Sequence, residues 1–215
     1  MNDAESAGRL LAARHAIPAP PEPERSLVNY AESPRRDDWT LRSALVRLAQ
    51  PEPERVGAVL ELIRRCDGAL HPLARALERH TVSTEPALNV AALDDSAADE
   101  RAPSDGIQPD CRAADLARVG RDRPAELTAI LAAYDATAET PLSDEERAAI
   151  PLLVVVLGLD ELGELLADWA AAGARDAPPL DRFDAICAEA FASLERLGVA
   201  REEPPNGLGR RPRQR

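Results

Sequence analysis

The strongest constraint in this chain lies between Ser143 and Trp169. Ser143-Asp144-Glu145-Glu146 spells a capping box, in which the serine oxygen accepts the amide of Glu146 and the glutamate carboxylate reaches back to the serine amide. The helix it opens meets Pro151, where the ring removes one backbone bond and predicts a kink, and then runs through Leu152 to Leu159 with an apolar residue or glycine on every face. Leu162, Leu165, Leu166 and Trp169 prolong it toward Gly173. A helix that is apolar all round must be enclosed by other elements. Pro151 to Leu159 falls far short of the roughly 20 residues that span a bilayer, so the run is expected to be buried on every side within the protein.

The partners are legible by period. Asp37 or Asp38 caps a helix carrying Leu41, Leu45 and Leu48 at i, i+4 and i+7, which Pro51 and Pro53 end. Val56, Val59, Leu60 and Ile63 form the next stripe, continued by Leu70, Leu73 and Leu77 past Gly68 and Pro72, which predicts two helices or one kinked helix over 54–80. Pro124 opens a helix with Leu127, Ile130, Leu131 and Tyr134 on one side. The last helix starts at Pro179, turns Leu180, Phe183, Ile186, Cys187, Phe191 and Leu194 inward, and stops at Gly198. Thr81 to Ser83 and Val90 to Leu93 are too short to be read as strands. The expected fold is all-α, a multi-helix bundle whose core is leucine and alanine. With aromatic residues at 3% of the chain, the apolar area buried per residue is modest.

Proline and charge divide the chain. Residues 1–37 carry Pro18, Pro20, Pro21, Pro23 and Pro34, which predicts an extended, partly disordered arm after a short helix from Ser6 to His15. The first helical block is 38–80. An acidic loop or linker follows at 81–115, expected to hang free in solvent. The second helical block is 116–200, and 201–215 is a basic tail expected to be disordered.

Composition enters as exclusion. All 26 cations of the Lys+Arg count are arginines. Without lysine the chain lacks the phosphate-loop lysine, the pyridoxal Schiff base and the kinase lysine. A net charge of −12 repels nucleic acid and anionic membranes; nucleic acid is expected at most through the tail arginines Arg210, Arg211, Arg213 and Arg215. Residues 1–16 carry Asp3, Glu5, Arg9 and Arg14 and have no continuous apolar core, so no signal peptide is read. Cys66, Cys111 and Cys187 are odd in number and widely spaced, which encodes neither a disulfide framework nor a thiolate zinc site. The expectation is a cytoplasmic protein.

Candidate chemistry is sparse. His71 and His80 stand about half a helical turn out of phase at ~100° per residue and do not share a metal. Cys66 and His71 lack an orienting third group, and His15 lies in the arm. Asp160, Glu164 and Asp168 share one helical face, which without a histidine or a second carboxylate helix is read as a solvated face. Asp94-Asp95 and Asp99-Glu100 are read as acidic linker.

The order of features over 38–198 resembles the helical C-terminal lobe of the aminoglycoside phosphotransferase and choline kinase-like family. A helix pair over 54–80 is followed by Val82-Ser83-Thr84-Glu85-Pro86-Ala87-Leu88-Asn89, then Asp105, then Asp115-Leu116-Ala117, in the place of that family's catalytic loop, metal aspartate and helix-opening Asp-Leu-Ala. Pro124 to Tyr134, Pro141-Leu142-Ser143, Glu146-Arg147, Pro151 and Trp169 resemble its closing helices. The catalytic base position holds Thr84 and the loop histidine position holds Val82, while the N-terminal nucleotide lobe is absent. The resemblance therefore implies a pseudoenzyme, a phosphotransferase-lobe remnant acting through protein contacts or as a homo-oligomer. Its alternative is a residual phosphotransferase or small-molecule binder in which Asn89 and Asp105 hold Mg2+ for ATP. A third reading, an acidic regulator of a nucleic-acid-binding partner, rests on net charge.

Overall fold

The computed structural model describes residues 3–16, 38–77, 81–84, 108–172 and 178–199. Eight α-helices run in the order α1 (Asp3–His15), α2 (Asp38–Leu48), α3 (Pro53–Leu70), α4 (Ala74–Leu77), α5 (Arg112–Asp122), α6 (Leu127–Thr137), α7 (Asp144–Ala171) and α8 (Leu180–Arg196). Two short strands, β1 (Thr81–Thr84) and β2 (Gln108–Cys111), precede α5. The architecture is an all-α bundle, and α7 is its axis.

The capping box forms as the sequence requires: Ser143 Oγ accepts from Glu146 N at 3.2 Å and Glu146 Oε2 accepts from Ser143 N at 2.8 Å. The helix then runs as one element through Pro151. Around it pack α2, α5 and α8, with α3 and α4 in lesser contact. Ile150, Leu152, Leu153, Val155, Val156, Leu159, Leu162 and Leu166 are buried. Enclosure is not complete, since Val154, Leu157 and Gly158 stay half-buried. Gly163 lies where α2 crosses, so that a Cβ there would meet Leu41 Cβ at 3.3 Å.

α2 buries Leu41, Leu45 and Leu48, as their spacing predicts. α3 opens with Pro53 at its first turn and ends where His71–Leu73 tightens into a 3-10 turn around Pro72. α6 begins three residues after Pro124, which sits in the preceding turn. α8 closes with Gly198 at φ +68° and a bond from Val199 N to Leu194 O at 3.0 Å, the left-handed terminus that glycine adopts without strain.

One expectation is extended and one is corrected. The short helix expected from Ser6 to His15 starts earlier, at Asp3, and Ala4, Ala7, Leu11 and Ala12 are buried against α6 in the most extensive helix pair of the fold. Ala4, Ala7, Gly8 and Ala12, small residues at i, i+3, i+4 and i+8, let the two backbones come close, and Leu11 at i+7 fills the space beside them. Thr81–Thr84 is a strand, paired antiparallel with Gln108–Cys111 so that Thr81 faces Cys111 and Thr84 faces Gln108. A strand this short takes its order from its partner's backbone rather than from side-chain alternation, and Pro109 is tolerated because a two-stranded ribbon has only edges. The ends of the 81–115 segment are thus tied together, and Arg112 to Asp115 belong to α5. The remainder of the acidic loop (85–107), the rest of the arm (17–37) and the tail (200–215) lie outside the described residues. Among the described residues, no helix is long and apolar enough to cross a membrane.

Candidate functional site

Polar chemistry collects in two places, one inside the bundle and one on it. The interior cluster starts on α5, where Arg112 and Asp115 stand at i and i+3 on the same face as Leu116 and Val119. Folding that face inward carries both charges with it. Arg112 Nε donates to Glu146 Oε1 at 2.7 Å and Nη2 to Glu146 Oε2 at 2.7 Å, a two-pronged pair, and the same guanidinium donates to the carbonyls of Thr140 at 2.6 Å and Pro141 at 3.0 Å. Glu146 therefore caps α7 and neutralises α5 at once. Burial acts to lower the Arg112 pKa, but the hydrogen bonds and charge of Glu146 outweigh it and the net direction is up.

On the other side of Arg112, Tyr134 of α6 shares a 2.9 Å hydrogen bond with His15 Nδ1, and His15 Nε2 lies 3.4 Å from Asp115 Oδ2. Asp115 Oδ1 accepts from Arg118. The side chains of His15 and Asp115 are 3% and 2% exposed. Burial, opposed by Arg112, raises the Tyr134 pKa above its ordinary value. A histidine between a carboxylate and a hydroxyl has the composition of a general-base relay. Here both ring nitrogens are engaged by buried partners, so the geometry locks α1, α5 and α6 together.

The second place is an open groove of about 120 Å³ between α7, α8 and the end of α5. Its floor includes Val154, Val155, Gly158 and Ile186, where α7 escapes full enclosure, and one corner is charged. Arg121 and Arg182 both pair with Glu161, and Arg121 Nη1 also donates to Leu157 O at 3.0 Å. Glu189 also lines the groove, so its two guanidinium groups stand beside two carboxylates and the charges balance. Gly158 keeps the floor low: a Cβ there would meet only Ile186, at 3.9 Å.

Two further contacts tie α3 to α8. Arg55 donates to both Asp184 oxygens at 2.8 Å and to Glu52 at 2.5 Å, which holds the Asp184 carboxyl below its ordinary pKa. Arg65, buried, donates to Val199 O and lies over the Phe191 ring at 5.8 Å from its centroid, while its Nε and Nη1 have no hydrogen-bond partner among the described residues.

All three cysteines are buried, and none is in a disulfide. Burial pushes the Cys187 thiol up to about 12 from 9.0. Native Cys187 is accordingly expected to resist alkylation at neutral pH and to react once the chain is unfolded. The raised value also sets a sign for stability: the contribution is fully present below pH 9.0 and is lost as pH rises toward about 12, because only the unfolded thiol ionises in between. Urea midpoints measured across that window decline, and less steeply in Cys187→Ala.

Asn89 and Asp105, named for a metal, lie outside the described residues, as do Asp94, Asp95, Asp99, Glu100, His80 and the tail arginines Arg210, Arg211, Arg213 and Arg215. Val82 and Thr84 lie in β1. Asp115, read as part of a helix-opening Asp-Leu-Ala, sits in the first turn of α5 but bonds inward to His15 and Arg118. His71 is exposed in the 3-10 turn, Cys66 is buried on α3, and Glu164 and Asp168 are exposed on α7. Among the described residues, no group of three or more metal-ligating side chains comes together. Sequence reasoning missed the interior cluster. Its one legible signal is that Arg112 and Asp115 share a face with Leu116 and Val119; His15 and Tyr134 are distant in sequence and carry none. No family model, curated protein or solved structure matches the chain.

Proposed function

We propose that this chain is a non-catalytic helical module that works by docking a segment of another protein in the groove between α7 and α8. The observation that carries the reading is the groove itself: an apolar floor over Val154, Val155 and Ile186 beside a corner where Arg121 and Arg182 share one carboxylate. An apolar side chain next to a polar one fits such a surface, the first on the floor and the second hydrogen-bonded among the paired charges of its rim. The histidine, tyrosine and Arg112–Glu146 chemistry meanwhile holds helices together. The phosphotransferase-lobe resemblance is compatible with this reading as a statement of descent.

Cross-linking mass spectrometry in the native host, comparing the unaltered chain with Ala185→Trp, tests the proposal. Ala185 lines the groove and is exposed, so the indole fills the groove without entering the core. Cross-links from the groove to a partner are expected with the unaltered chain and lost in the variant; their persistence overturns the reading. Calorimetry with Mg2+ and ATP tests the alternative, because binding abolished by Asn89→Ala would favour the residual phosphotransferase.

A further inference from the structure

The seam between α3 and α8 is held by two arginines of α3, and the buried one lacks a counter-ion. Arg55, whose side chain is 34% exposed, has two carboxylates: Nε and Nη2 donate to Asp184 and Nη1 donates to Glu52. Arg65, only 4% exposed, has no carboxylate within ion-pair distance among the described residues. Its Nη2 donates to Val199 O and its guanidinium lies over the Phe191 ring. The one hydrogen of Nε and the two of Nη1 are shielded from water and meet no acceptor. A buried cation with three idle donors is among the costliest arrangements a fold can hold, and an anion placed against them removes the cost.

We infer that Arg65 is a carboxylate-binding site and that the chain's own Glu202 and Glu203 fill it, closing as a latch behind α8. The chain is led to the site. Gly198 turns it back at φ +68°, Val199 N bonds Leu194 O at 3.0 Å, the Val199 side chain packs on the core, and Arg65 itself holds the Val199 carbonyl. Glu202 and Glu203, which lie outside the described residues, are the first carboxylates after that carbonyl, three and four residues on. Fully extended, those steps span at most about 11 and about 14 Å, so the chain needs only to fold back beside the guanidinium it already touches. Two carboxylates suit the site because Nε and Nη1 lie on different edges of the planar group, and Asp184 and Glu52 divide the same two nitrogens of Arg55. Glu189 and Ser193, which line the groove, stand two residues to either side of Phe191, about 160° around α8 at ~100° per residue. The latch therefore braces the groove wall from behind, whatever the groove binds.

Urea denaturation of the full chain, read as the folding equilibrium constant, tests the inference. Glu202→Ala with Glu203→Ala should lower that constant at least about tenfold in the unaltered chain and less than about twofold once Arg65→Met is present, because the carboxylates then have nothing to hold. A second readout needs no change at Arg65: its Nε–H proton resonance, displaced downfield by a carboxylate acceptor, should move upfield in the double alanine variant. Alanines without effect, equal losses in the two backgrounds, or an unmoved resonance overturns the latch. Formate in place of chloride separates the sources of the anion: if it stabilises the unaltered chain but not Arg65→Met, while the alanines change nothing, the carboxylate comes from outside the chain and the latch is overturned. The Ala185→Trp comparison reads the groove independently of all these outcomes.

Discussion

Gly8→Leu is expected to detach α1 from the bundle. At Gly8 the α1 and α6 backbones are so close that an added Cβ would overlap the Ile130 carbonyl oxygen and lie 2.8 Å from Ala133 Cβ and 2.9 Å from Tyr134 N. Two of those three atoms are backbone and cannot rotate away. Alanine at this position gains about 1 kcal/mol of helix propensity, yet the overlap costs more, so Gly8→Ala should lose about 2 kcal/mol net. Leucine should lose at least about 4 kcal/mol, which for a chain of this length lowers the melting temperature by roughly 10 °C. The loss propagates: without α1, His15 leaves Tyr134 and Asp115. Urea denaturation gives the magnitude, and hydrogen exchange identifies the released segment, because α1 amides should lose protection before those of α7.

The second large effect belongs to the buried pair. Arg112 and Glu146 have side-chain exposures of 6% and 1%. Removing the charge of one partner leaves the other ionised in a dry site, which typically costs 3–5 kcal/mol. Glu146→Gln should fall near about 3 kcal/mol, since glutamine still caps α7. Arg112→Met should cost a similar amount, because it strands the carboxylate and releases the carbonyls of Thr140 and Pro141. The double variant has no uncompensated charge, although the Thr140 and Pro141 carbonyls still lack their donor, so its loss should fall short of the sum of the two single losses by at least about 2 kcal/mol. A double-mutant cycle in urea checks this, and additive single losses would show that the pair is not coupled.

How much could be read beforehand differs by element. The capping box, the apolar run after Pro151, the stripe of α2 and the glycine stop of α8 were all legible, because each depends on neighbours within a few turns. β1 was not, because its order comes from Gln108–Cys111 across the acidic loop. α1 was half legible: its helix was expected, but burial of Ala4, Ala7, Leu11 and Ala12 depends on α6 being there to receive them. The groove followed neither from the apolar run, which suggested complete enclosure, nor from the scattered charges of Arg121, Glu161 and Arg182. It exists because α8 leaves one side of α7 uncovered beside Gly158.

The sequence by itself determined that this chain is a helical bundle in which one run is apolar on every face, since periodicity, caps and breakers act locally and apolar surface must leave water whatever covers it; that the bundle is built around that helix was decided by the packing. The tertiary structure alone decided which helices meet. That choice placed His15 against Asp115 and Tyr134, spent Glu146 on Arg112, and opened a charged groove over Ile186. Hydrogen bonds and ion pairs are satisfied at about 3 Å, and only the packed chain brings residues from separate helices within that distance.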